Sequence, residues 1–297
     1  MDYDARTHRV IIYPQESILQ TQLIKVFDTW LEEASKKMRK AYHKTFDRWK
    51  AWQWNLSGPY QSSHLYSHLV LRESAARYPK IVFETIHLNR DEVASDIAAN
   101  YTYEKAARWL EGTNGSVQLV IIAVITQDPL IPWSSPALSP LNSPASSTTA
   151  TATSTSSSKY YDWGISVNQL TNNSIASNTI KINTQDQNSS SKIDVDIYFA
   201  TPSYPTRRGF AEHAWHASFR PNGQLLHVDD ECFASDFSLS RVFPEVGEEN
   251  ELRVPVDSLR TFLPRAVIDD RFAQAEFLVR TAREEVRKFK PQGSTRG

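Results

Sequence analysis

The chain has 297 residues with 33 basic and 34 acidic side chains, a net charge of -1 that argues against a globally basic nucleic-acid binder while leaving local patches open. Its length admits two average domains or one large one with insertions, and 8 Trp, 12 Tyr and 13 Phe supply a substantial core. The single cysteine, Cys232, excludes an internal disulfide and suits a reducing compartment; with no N-terminal signal core and no run of about 18 uncharged apolar residues, the expectation is an intracellular protein, cytoplasmic or nuclear, without a membrane partner.

In chain order, residues 16 to about 52 carry a helical stripe of Leu19, Leu23, Phe27, Trp30, Ala34, Met38, Tyr42, Phe46 and Trp49. The second half of this predicted helix is basic, with Lys36, Lys37, Arg39, Lys40, Lys44, Arg48 and Lys50 against one acid, Asp47. It reads as a solvated face or as a surface on which Lys36, Lys40, Lys44 and Arg48 meet phosphates beside Trp52 and Trp54. A turn around Ser57-Gly58-Pro59 leads to a weakly alternating strand over residues 65–71.

The chain is organised around residues 79–126. A short apolar run, Ile81-Val82-Phe83-Glu84-Thr85-Ile86, holds one carboxylate; residues 98–111 have helical spacing through Tyr101, Ala106, Trp109 and Leu110; Gly112-Thr113-Asn114-Gly115 stops that helix. Residues 117–125 are apolar almost throughout, which suits a parallel strand covered on both faces. Residues 129–159, rich in Ser, Thr, Pro and Ala, read as a disordered linker or insertion, and the Asn/Ser cluster at 183–191 as a flexible loop within a part whose order resumes near Tyr160. Residues 195–200 predict a strand, and residues 227–232 and 252–256 weaker ones. Residues 256–263 read as a strand end entering a helix capped by Asp257 or Ser258. Residues 269–290 predict an amphipathic helix with Phe272, Ala275, Val279, Ala282 and Val286 on one face. The divisions expected are residues 1–128, the linker 129–159, and residues 160–297 as part of the same domain or as an appended subdomain.

Tyr78-Pro79, Val82, Phe83 and Glu84, then Trp109-Leu110, Gly115, Val117 and the strand to Ile125 form a pattern that resembles uncharacterised fungal proteins with a restriction-endonuclease-like core, the PD-(D/E)XK superfamily. The resemblance covers residues 67–126, a fifth of the chain. It implies an α/β fold with a mixed sheet flanked by helices, and a site in which two acids on neighbouring strands hold Mg²⁺ while a lysine polarises the nucleophile. Glu84 matches the second acid. Ile86 stands where the lysine belongs, Ile125 stands at the family's alternative lysine position, and Ser67-His68 lie where the first acid belongs.

Two of the three groups are missing from these positions, so the leading expectation is a catalytically degenerate nuclease-like protein that binds nucleic acid or a protein. The alternatives are an active metal-dependent nuclease with a migrated site at Glu84 and Asp96, and a structural interaction module without nucleic-acid contact. No cofactor is expected, Mg²⁺ entering at Glu84 only if the chain is an enzyme. Asp91 and Glu92 read as capping or surface charge, and His64 with His68 as ordinary histidines. His213 and His216 have a ligand-like spacing for a helix but lack further ligands in sequence; Asp229, Asp230 and Glu231 read as a solvated acidic turn, and Cys232 as no nucleophile.

Overall fold

The computed structural model describes residues 2–5, 9–11, 16–89, 95–128, 191–202, 212–229, 237–248 and 251–288. The chain divides into two compact units, residues 1–129 with 186–276, and residues 130–185 with 277–297. Apart from the end of the last helix, every element below lies in the first unit. The predicted linker at 129–159 and the resumption of order near Tyr160 lie outside the described residues.

The elements run β1 (Asp2–Asp4), β2 (Arg9–Ile11), α1 (Ile18–Tyr42), β3 (Phe46–Asn55), β4 (His64–Glu73), β5 (Ile81–Asn89), α2 (Ser95–Gly112), β6 (Leu119–Gln127), β7 (Ile193–Ala200), β8 (Glu212–Phe219), β9 (Leu225–Val228), α3 (Leu239–Val242) and α4 (Val256–Lys288). The strands form one mixed sheet in the order β2-β1-β4-β5-β6-β7-β8-β9, with β3 paired to β4. β5 and β6 are parallel, joined through α2; the other described pairings are antiparallel. This is an α/β protein. The strands after residue 190 extend the same sheet, because β7 pairs with β6 from Gln127↔Ile193 to Val120↔Ala200.

Alternation along the central strands splits the core into two layers. Ile81 and Phe83 of β5 and Leu119, Ile121, Ala123 and Ile125 of β6 face α1 and α4, whereas Val82, Ile86, Val120, Ile122 and Val124 face α2. The apolar run of β6 is thus explained by cover on both faces. α1 buries Leu19, Leu23, Phe27, Trp30, Leu31, Ala34 and Met38, with Phe27 stacked on Phe83 at 4.3 Å between ring centres. Its start is fixed by a capping box: Gln20 N–H donates to Ser17 Oγ at 3.2 Å, and Ser17 N–H donates to Gln20 Oε1 at 3.0 Å. Among the described residues no helix is long and apolar enough to cross a membrane.

Three local expectations are corrected. The first helix ends at Tyr42, not near Trp52: His43 adopts a left-handed conformation (φ 52°), and Phe46–Asn55 pairs with β4 from Phe46↔Glu73 to Asn55↔His64. Phe46 and Trp49 continue the helical stripe, but aromatic residues with a strand partner at hand favour the pleated surface. Residues 252–256 form no strand, only a bridge between Arg253 and Ser238. α4 starts at Val256 and runs through Pro264, so Asp257 and Ser258 lie inside its first turn. Its inner face is Leu259, Leu263, Ala266, Val267 and Asp270, whereas Phe272 of the predicted apolar face is 54 % exposed; the side chains of Ala282 and Val286 lie outside the described residues.

Candidate functional site

Glu84 sits in the β5 row Val82-Glu84-Ile86 that faces α2, and its exposure is 0 %. α2 places Lys105 and Trp109 over it, four residues apart and therefore on one helix face. The Lys105 ammonium ion-pairs with Glu84 Oε2, and Trp109 Nε1–H donates to Glu84 Oε1. The end of α2 is held in turn by Thr113, whose Oγ1 donates to the Trp109 carbonyl at 2.7 Å and accepts from Val117 N–H at 3.2 Å. Asn114 (φ 51°) and Gly115 (φ 71°) then reverse the chain into β6. A carboxylate removed from water needs such partners, since desolvating an ion costs several kcal/mol or more. Glu84 therefore faces a fixed ammonium, with both oxygens engaged by α2.

Ile86 and Ile125 offer no amine, but one stands beside Glu84 on Lys105, which is not apparent from the sequence alone. The available signal was its position four residues before Trp109, on the stripe that also carries Ala106 and Leu110. Asp96, the other expected acid, lies in the first turn of α2 with its side chain outside the described residues, as are Asp91 and Glu92 altogether.

At the expected first-acid position, His68 fills a fork between β4 and β5. The two strands pair only from Leu69↔Phe83 to Leu71↔Ile81. Beyond them Thr85 N–H donates to His68 Nδ1 at 3.2 Å, and Gln20 Nε2–H donates to Thr85 Oγ1 at 3.1 Å. No pair joins Ala51 to His68 between Lys50↔Leu69 and Trp52↔Ser67, and Ala51 has φ 53°. The His68 ring thus stands in for a ladder hydrogen bond between β4 and β5, its Nδ1 accepting from the backbone. Ser67 is likewise engaged, accepting from Trp54 Nε1–H at 3.2 Å.

The four expected nucleic-acid contacts do not form one stripe. Lys36 and Lys40 lie on α1, Lys44 in the turn after it, and Arg48 on β3. Acids neutralise three of them: Lys36 with Glu33 at 2.7 Å, Lys44 with Glu73 at 2.9 Å, and Arg48 with Asp28 at 2.8 Å. Lys50 adds a further contact to Asp28 at 2.6 Å. Lys40 is exposed.

A polar cluster assembles instead where β7, β8 and β9 meet. His213 and His216, three residues apart, would lie on opposite faces of a regular strand. A β-bulge prevents this: the register steps from Ile197↔Trp215 to Tyr198↔His213, and Ala214 and Trp215 both enter the core. His213 Nε2 and His216 Nδ1 therefore both meet Asp196 Oδ1 of β7, at 2.9 and 2.7 Å. These three ligand atoms all lie within 4.8 Å of one another. His216 Nε2 is 3.1 Å from Ser218 Oγ, whose hydroxyl donates to Asp194 Oδ1. Burial pushes the Asp196 carboxyl up, but hydrogen bonds from the two imidazoles outweigh it and hold the group below its usual range; the same contact holds His216 above the ordinary imidazole range. His227, with its Nε2 3.0 Å from Asp229 Oδ1, stands beside His216 at 5.8 Å between ring centres. His64 and His68 belong to no such group of three among the described residues. Asp230, Glu231 and Cys232 lie outside them.

No protein-family model, curated protein or solved structure matches the chain.

Proposed function

We propose that the chain is a catalytically degenerate nuclease-like protein, built on a restriction-endonuclease-like core and acting by binding a protein partner. The observation that carries this reading is the state of Glu84: its exposure is 0 %, and Lys105 and Trp109 occupy its oxygens. A nuclease carboxylate must instead present an oxygen to a hydrated Mg²⁺. The mixed sheet, the β5-α2-β6 crossover and the helices on both faces support the core assignment. The acids beside Lys36, Lys44 and Arg48 favour a protein over nucleic acid as the partner, because a neutralised base releases few counterions from a phosphate backbone.

A second reading has one observation in its favour. Lys105 sets an ammonium beside Glu84, the acid and amine combination on which a metal-dependent nuclease relies. Calorimetric titration of Mg²⁺ and Mn²⁺ into wild type and Glu84→Gln, followed by a nuclease assay at saturating metal, separates the two. The degenerate reading expects identical titrations and no cleavage by either protein. Cleavage by wild type that disappears in a folded Glu84→Gln protein would replace it with the enzyme.

A further inference from the structure

We infer that Asp196, His213 and His216 form a binding site for a divalent metal ion of the zinc class, an inference that goes beyond the nuclease-like reading and does not depend on it. Two imidazole nitrogens and one carboxylate oxygen are the donor set that borderline transition ions take, whereas Mg²⁺ takes oxygen. Bound at about 2.0–2.1 Å, zinc holds tetrahedral donors about 3.3 Å apart. Asp196 Oδ1 already lies 2.9 Å from His213 Nε2 and 2.7 Å from His216 Nδ1, so a small opening of the trio admits the ion. His213 is the arm that can move, with a side chain 43 % exposed against 22 % for His216 and 19 % for Asp196.

The supporting hydrogen bonds specify the same site. Ser218 gives its hydroxyl hydrogen to Asp194, so its Oγ accepts from His216 Nε2–H. That fixes the ring with Nδ1 turned to Asp196 Oδ1. A ligating imidazole whose other nitrogen is hydrogen-bonded toward a carboxylate is the usual outer-shell arrangement of a zinc site. The backbone adds an independent sign: the bulge at Ala214 is what turns His213 to the face of His216, and bulges serve to re-aim side chains. Three protein donors leave a fourth position for water or an external ligand, the arrangement of an open site rather than a closed structural one.

Calorimetry with Zn²⁺ on the metal-stripped full chain, with Mg²⁺ as the control titrant, tests the inference. The expected result is one Zn²⁺ per chain, no uptake of Mg²⁺ at this site, and loss of the zinc isotherm in His213→Ala and Asp196→Asn. Ser218→Ala, which leaves all three donors in place, should weaken zinc by about 10–100-fold. Circular dichroism establishes that each variant is folded, and the exposed His213 makes His213→Ala the safest of them. Absence of binding at millimolar Zn²⁺, or an isotherm unchanged in folded His213→Ala and Asp196→Asn, would overturn the inference and leave a proton between His216 and Asp196. Neither result depends on nuclease activity or on Glu84.

Discussion

Removing the Lys105 ammonium would leave the Glu84 carboxyl without its counter-ion where no water reaches it. Lys105→Met should therefore lower unfolding free energy by about 3–5 kcal/mol, whereas the double change Lys105→Met with Glu84→Leu should restore much of that loss, because a buried pair replaced by apolar groups of similar volume is often neutral. Urea unfolding of both proteins measures this, and equal destabilisation in the single and double variants would contradict the structural ion pair. His87, near the end of β5, gives a prediction in pH. Burial chiefly lowers its pKa, and Arg271 of α4 adds to the shift, while Asp270 of α4 and a hydrogen bond that the ring donates to Gln127 of β6 oppose it. With its folded value below the unfolded one, His87 contributes full stability above the unfolded pKa of about 6.5, and this is lost as pH falls to the folded value. His216, held above the ordinary range, acts with the opposite sign, so wild type must be compared with His87→Gln. The urea midpoint of wild type should fall more than that of His87→Gln between about pH 7.5 and 5.5; parallel curves would count against a buried neutral imidazole.

Elements are placed by contacts that single residues secure. Gly223, in the turn between β8 and β9, has φ 79°, and a Cβ there would lie 2.4 Å from the Pro264 carbonyl oxygen of α4. Gly223→Ala should thus lower stability by about 1–3 kcal/mol by forcing α4 away from the turn, seen as a lower melting temperature. Further along α4, Leu19 N–H donates to Asp270 Oδ1 at 3.1 Å, so α4 caps the first turn of α1. Neither contact is written in local sequence, since each joins distant segments. What was legible was periodicity: β6 is apolar on both faces, β5 carries one acid, and Gly112 to Gly115 ends α2. Periodicity failed over Phe46 and Trp49, which continue the helical spacing of α1 although pairing with β4 makes them a strand. The site was harder to read. Lys105 looks like an ordinary surface lysine until α2 is laid on β5, and His213 and His216 look helical because the bulge at Ala214 imitates a helical spacing on a strand.

At the scale of the molecule, the long connection between β6 and β7 interrupts what is otherwise a hairpin. Gln127 pairs with Ile193, Asp128 N–H donates to the Lys192 carbonyl at 3.4 Å, and Lys192 N–H donates to Asp128 Oδ2 at 2.7 Å. The two ends therefore meet within the first unit, whereas residues 130–185 belong to the other compact unit. Replacing those residues by about eight Gly and Ser residues shortens the chain between the paired ends roughly fourfold, and two halvings of loop length favour closure by about 1 kcal/mol. The shortened protein should unfold cooperatively at a urea midpoint equal to or above that of the full chain, and should still take up Zn²⁺, because Asp196, His213 and His216 all lie in the first unit. Loss of the cooperative transition would mean that residues 130–185 complete the core of that unit. A retained transition with lost zinc uptake would mean that they hold the face of β7 and β8 in its metal-binding form.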